Sequence, residues 1–512
     1  MKKKFFFIPL RENPGRMPAG KRSVFASEGF PSRRSVGRRY PTVRSGSFIF
    51  ALLVLWIFLF PIYRDRTPAF GCFDDCFNYM GGYFLNGGKH LYGEIFYNHQ
   101  PLMAYISAGI QKFVHPQTIY ALVLAHREFV VVWAIAWDIM LVLRFGWVGL
   151  GFSVLYETTK GFVFGERFLG EALIVYPIVY LVGLVGNKRT RLDSIVVGVS
   201  TWFVVFSREP YIPLALLLLI LLYNRTSIAI FLLLSLGTIF IHSPGDYFFN
   251  VVTVNTMLVS SANVLQSLAY PILIFFGGSW NLFRFIEIGL TILFWFSVPK
   301  KNIWLPILLL ALANIRPTAP GTIYYQAFQH LVGYGVLVML VLLNVKNFLW
   351  VGFIALTVFA MLSPRSYLYD RVDRNAEFTQ NYGQYYVTGE VVRFLSNPND
   401  TLFLDGYDDL IYWQAKRFSP YPYSWYTSVM HEFPLYTTAR TQMFLATPPD
   451  FYYGRCDRET LISVLPDNTA DQYSRFFWQT RPTCLFVRKE KLAVIPKESL
   501  DHVNRQFEYS MR

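Results

Sequence analysis

The sequence predicts a polytopic α-helical membrane protein of about eleven transmembrane helices, with interfacial helices in its first outer loop and a small soluble α/β domain at its C-terminal end. Three observations predict it. Of 512 residues, 53% are hydrophobic and 18% aromatic while 16% are charged, too little charge for a soluble chain of this size. Apolar runs recur from Phe48 to about Ser363, and several can cross a hydrocarbon core about 30 Å thick. Beyond them the chain turns polar, with Asp and Pro turns, over a length of ~150 residues that suits one ordinary domain.

The net charge of +14 does not point to nucleic acid, because most of the excess precedes the first apolar run, from Lys2 to Arg44. Mixed with Ser, Gly and Pro, residues 1–47 read as a disordered cytoplasmic tail whose charge orients the chain. The tail also suits an over-extended start. No small-residue cleavage site follows Phe48–Tyr63, so that run is expected to stay as the first span.

Basic short loops fix sidedness. "RFGW" at Arg144, "NKRTR" at Asn187, "YNRTS" at Arg225, "VPKKN" at Val298 and "NVKN" at Asn344 are expected on the cytoplasmic side. The loops between them carry acids, Pro and aromatics and are expected outside. "PLMAYISAGIQKFVH", Pro101–His115, is short for a crossing and would invert every later loop, so it reads as an amphipathic helix at the outer interface. The chain divides into the tail 1–47, a membrane domain 48–363 with a first outer loop at 64–118, and an extracytoplasmic domain 364–512. The cell membrane is the expected location, with membrane lipids among the partners.

The first outer loop opens with two adjacent acids, Asp74 and Asp75, in "GCFDDCFNYMGGYFLNGGKHLYGEIFYNHQP". Alone, such a pair is an ordinary solvated loop. Here it is followed by a helical stretch, the Gly87-Gly88 break, Tyr92, Glu94 and the Pro101-Leu102 helix start. In this order the segment resembles the membrane glycosyltransferases of the GT-C fold, in the bacterial branch that contains the family 39 protein O-mannosyltransferases and the lipid A aminoarabinose transferases. The likeness extends to "GERFLGEALIVYPIVYLVGL", where Glu171 matches an acid opening the fourth span. It extends also to "RPTAPGTIYYQAFQHLVGY", with Arg316 and Tyr325, and to the soluble tail. One position departs: His99-Gln100-Pro101 stands where relatives often carry Lys-Pro-Pro, so His99 is a weaker, pH-dependent substitute for a phosphate-binding Lys. Arg316, Lys89 or Arg208 are the alternative fixed charges.

The resemblance implies transfer of a monosaccharide, hexosyl or pentosyl, from a polyprenyl-phosphate donor to a glycan, lipid or protein acceptor at the outer face, with inversion. Such chemistry needs a carboxylate base and a cation on the leaving phosphate. Asp74 is expected as the base, and Asp75 as its catalytic partner that orients backbone or acceptor. Glu171 contacts substrate or is a helix-start acid favoured by the dipole. Glu94 holds the acceptor or caps local structure. Arg316 binds phosphate or snorkels to the interface. No cofactor is expected, and a divalent metal is left open. Cys72 and Cys76 read as two buried thiols, Cys456 and Cys484 as a bridge. Two rival functions remain, a lipid-linked sugar flippase, which would show repeated halves, and an oligosaccharide ligase of the same fold.

Overall fold

The computed structural model describes residues 42–66, 74–258, 282–300, 303–314, 330–345, 347–361, 373–406, 410–454, 465–466 and 468–511. Its first helix, α1 (Thr42–Arg66), starts inside the expected tail: residues 42–47, read as disordered, are helical. Next come α2 (Asp74–Asn86), α3 (Leu102–Val114), α4 (Ile119–Phe145), α5 (Trp147–Thr159), α6 (Gly170–Leu184), α7 (Arg191–Val205), α8 (Ile212–Leu221) and α9 (Arg225–Phe240). The bundle continues with α10 (Leu282–Ser297), α11 (Trp304–Ala313), α12 (His330–Asn344) and α13 (Asn347–Met361).

Helices α6 and α12 are apolar around their whole circumference, and both are buried along nearly all their length. Such a pattern demands a central position, and the two pack on each other there. Among the described residues, one helix is long and apolar enough to cross a membrane, Gly46–Arg66 within α1. The pair Arg225–Phe240 and Pro244–Met257, bent by 103°, makes a second if taken as one span. Helices such as Gly170–Leu184, Trp304–Ala313 and His330–Asn344 are apolar but shorter. Among the described residues, the expected figure of about eleven crossings is therefore not matched by eleven long apolar helices. Charges inside α4 show one reason. Asp138 accepts from Trp56 Nε1 of α1 at 3.0 Å and from Ser153 Oγ of α5 at 2.8 Å, so this helix buys polarity only where neighbours satisfy it.

The tail forms an α/β unit. Helix α14 (Arg374–Leu395) precedes β1 (Leu402–Leu404) and α15 (Leu410–Ala415); α16 (Pro434–Ala446) leads to β2 (Phe451–Tyr453). Then come β3 (Tyr473–Trp478), β4 (Arg481–Arg488), α17 (Lys489–Val494), α18 (Lys497–Phe507) and β5 (Tyr509–Met511). The sheet order is β1-β2-β4-β3-β5, with β1 parallel to β2 and the other neighbours antiparallel. Its helix α15 and one of its loops grip the segment that follows α2. Trp425 Nε1 donates to the Phe96 carbonyl at 2.7 Å, Ser424 Oγ to the Glu94 carbonyl at 2.7 Å, and Trp413 Nε1 to Gln111 Oε1 at 3.0 Å.

The cysteines divide against expectation at one position. Cys76 is disulfide-bonded rather than a buried thiol, whereas Cys484 is disulfide-bonded, as a bridge there requires; Cys72 and Cys456 lie outside the described residues. Glu157 is buried in the last turn of α5, where it pairs with Lys160 at 2.5 Å.

Candidate active site at the head of the second helix

Helix α2 starts on Asp74 and Asp75, two acids in the first turn, where the exposed backbone N–H groups favour negative charge. It ends at the Gly-Gly break. Gly88 takes φ +84°, a left-handed conformation open to glycine, and the Lys89 N–H closes the turn on the Phe84 carbonyl at 3.1 Å. The chain then runs back along the helix. Tyr97 OH donates to Asn78 Oδ1 at 2.6 Å, and the Phe77 ring stacks between Tyr97 and Trp425. This return brings His99 against Phe77, and so to the Asp74 end.

There the adjacent aspartates part. Asp75 is completely buried. Its Oδ2 accepts from Arg127 of α4 at 2.9 Å and from Tyr79 OH at 3.1 Å, and its Oδ1 caps its own helix through the Cys76 N–H at 3.1 Å. Arg127 also donates to Tyr382 OH of α14 at 3.2 Å, which ties the soluble domain into the pair. Asp75, expected as the partner of Asp74 that orients backbone or acceptor, has no accessible surface here and is bonded to a backbone N–H of its own helix. It holds α2, α4 and α14 in register.

Asp74 keeps 40% of its side chain exposed and meets a different arginine. Arg208, in the loop between α7 and α8, donates from Nη2 to Asp74 Oδ2 at 3.0 Å and from Nε to Glu171 Oε1 at 2.8 Å. Its Nη1 lies 3.0 Å from His99 Nδ1, and Glu209 Oε1 stands 3.4 Å from the same nitrogen. Gly170 makes this possible: a Cβ there would lie 3.3 Å from Arg208 Cδ and 3.4 Å from the Ser207 carbonyl. The Leu102 N–H bonds the Phe206 carbonyl at 3.0 Å, pinning the arginine loop to the start of α3.

Of the residues singled out in the sequence, Asp74, His99 and Glu171 therefore converge on one guanidinium. Lys89 and Glu94 do not. They pair with each other at 3.4 Å beyond the opposite end of α2, thirteen residues or about 20 Å from Asp74 by helical rise. The Glu94 carboxylate accepts the His90 N–H at 2.9 Å, and that bond, followed by the Lys89 charge, holds its pKa below the usual value against the opposing effect of burial. Arg316 and Tyr325 lie outside the described residues. Glu209 and Arg127 escaped the sequence reading as site residues. The signal for Glu209 was its place next to Arg208 in "SREP"; for Arg127, a charge at the ninth residue of an apolar helix admits many partners. Among the described residues, no cluster of three or more His, Cys, Asp or Glu is placed to hold a metal ion.

This architecture, a helical bundle with the loop helices α2 and α3 under a small mixed sheet, is a GT-C fold. A solved structure that shares it is ArnT from Cupriavidus metallidurans bound to undecaprenyl phosphate, with a TM-score of 0.53 at 10% identity, covering 88% of this chain and 98% of that one. The same ArnT in its apo state aligns with a TM-score of 0.47 at 11% identity over 87% and 98% of the two chains. No protein-family model matches the chain, and no curated protein matches it in sequence.

Proposed function

We propose that the protein is a membrane glycosyltransferase that moves a monosaccharide from a polyprenyl-phosphate donor to an acceptor hydroxyl at the outer face of the membrane, with inversion and with Asp74 as base. The observation that carries the reading is the open Asp74–Arg208 pair: a half-exposed carboxylate and a cation 3.0 Å apart, braced by Glu171 and His99. The shared fold supports it, since ArnT was solved with undecaprenyl phosphate bound.

The chemistry follows from the two groups. The donor phosphate competes with Asp74 for Arg208 and releases the carboxylate. Asp74 then takes the acceptor's proton as the hydroxyl oxygen attacks the anomeric carbon. The bond from that carbon to the phosphate oxygen breaks, and the charge gathering on the phosphate meets Arg208. In this reading Arg316 and Tyr325 are further donor contacts. The C-terminal domain stands outside the cytoplasm in this reading.

Purified protein incubated with a panel of polyprenyl-phosphate monosaccharides and candidate acceptors tests it. Release of free polyprenyl phosphate together with a glycosylated acceptor is the expected result. Donor that crosses a vesicle bilayer with its sugar still attached, and no released carrier, would replace the transferase by a flippase.

A further inference from the structure

An open pocket lies where the end of α3 meets α15, at the opposite end of α2 from Asp74. Its volume is about 470 Å³, and its lining includes Tyr83, Lys112, His115, Trp413 and Lys416. Three basic side chains reach it, and no carboxylate lines it. Lys416 is built in rather than trailing at the surface. Its backbone takes φ +55°, and its Nζ sits 3.2 Å from the centre of the Trp413 ring, whose indole is fixed by Gln111 of α3. Directly beside the basic pair Lys112 and His115, Phe113 is 89% exposed and Val114 50%. An apolar tip flanked by cations is how a surface helix lodges at a bilayer interface, with rings among the acyl chains and charges among the phosphates.

We infer that this pocket binds the head group of an anionic phospholipid, with Phe113 and Val114 lying beside its acyl chains. The volume suits a glycerol-phosphate head group. With two lysines, a histidine and no carboxylate in the lining, a zwitterionic choline head group gains nothing for its ammonium. The inference rests on the membrane location proposed above but not on sugar transfer, and binding is read without any turnover.

The test is native mass spectrometry of the full chain, titrated with phosphatidylglycerol or phosphatidylcholine. Phosphatidylglycerol should bind preferentially, and Lys112→Gln and Lys416→Gln should each weaken it roughly fivefold, the value of one cation near an anionic surface. Lys112 is exposed, so its substitution leaves packing intact. Lys416→Arg should keep the preference; a loss equal to that in Lys416→Gln would mark a packing effect and sink the assignment. Unchanged binding in the double Gln variant, equal retention of phosphatidylcholine, or full displacement by millimolar inorganic phosphate would each overturn it.

Discussion

Two ion pairs one residue apart in sequence divide the labour of this protein. Asp75–Arg127 is sealed: the side chains are 0% and 2% exposed, and the partners come from α2 and α4, with Tyr382 of α14 at the edge. Asp74–Arg208 is open: the carboxylate is 40% exposed and its arginine is shared with Glu171 and His99. Residue types and distances are nearly the same. What differs is water. A sealed pair cannot exchange partners without stranding a charge, so it serves as architecture. An open pair can trade its carboxylate for a phosphate, which is the part the proposed function gives it.

That contrast can be broken from the sealed side first. Asp75→Ala leaves the Arg127 charge buried without its carboxylate and should destabilise the fold by about 3–5 kcal/mol, seen as a large fall in the thermal midpoint in detergent. Joint replacement of Asp75 by Leu and Arg127 by Met should recover most of it. A midpoint unmoved by Asp75→Ala would mean the pair is not architectural. On the open side, Arg208→Ala removes charged hydrogen bonds worth about 1.5–3 kcal/mol and should raise the donor KM about tenfold to a hundredfold. Arg208→Lys should restore only part, since the fork reaching Asp74 and Glu171 together is lost. Equal donor affinity in both variants would move the phosphate to Arg316.

Finer contrasts follow. Tyr382→Phe deletes one hydrogen bond to Arg127 and should cost about 1 kcal/mol of stability with little change in turnover per folded molecule. Lys416 lies between the sealed and open extremes, half-buried. Burial, with Arg393 nearby adding to it and Glu390 opposing, pushes its pKa down to about 8. Its charge is present below that value and lost above it. The preference for phosphatidylglycerol should therefore shrink as the pH rises from about 7 to about 9, and should not shrink in Lys416→Arg. A flat profile in the wild type would remove Lys416 from the lipid site. Glu94→Gln breaks a surface pair and should change stability by under about 1 kcal/mol.

Much of this was legible in the sequence because it is local. The Gly87-Gly88 break, the short helix at Leu102–Val114 and the helix-strand-helix run from Arg374 to Ala415 follow from turn chemistry and periodicity. Asp74 is singled out as the first acid of a pair followed by the motif order of the family that the segment resembles. What the sequence did not expose is long-range pairing. Asp75 meets an arginine 52 residues away, and Asp74 one 134 residues away. No pattern of spacing says which aspartate will be covered, since burial depends on how α4 and α14 close over one face of α2. Lys89 misled for the same reason. It is near Asp74 in sequence, but the thirteen-residue helix carries it to the far end.

The most direct test of the account compares Asp74→Asn with Asp75→Asn in single-turnover transfer and in thermal unfolding, on the same preparations. The amide keeps shape at both positions and removes the charge. Asp74→Asn should lose roughly two to four powers of ten in turnover, the worth of a general base, while its unfolding midpoint stays near that of the wild type. Asp75→Asn should show the reverse, a lowered midpoint with turnover per folded molecule reduced far less. Near-normal turnover in Asp74→Asn, or abolition of turnover by Asp75→Asn without loss of stability, would contradict the division between the open and the sealed pair.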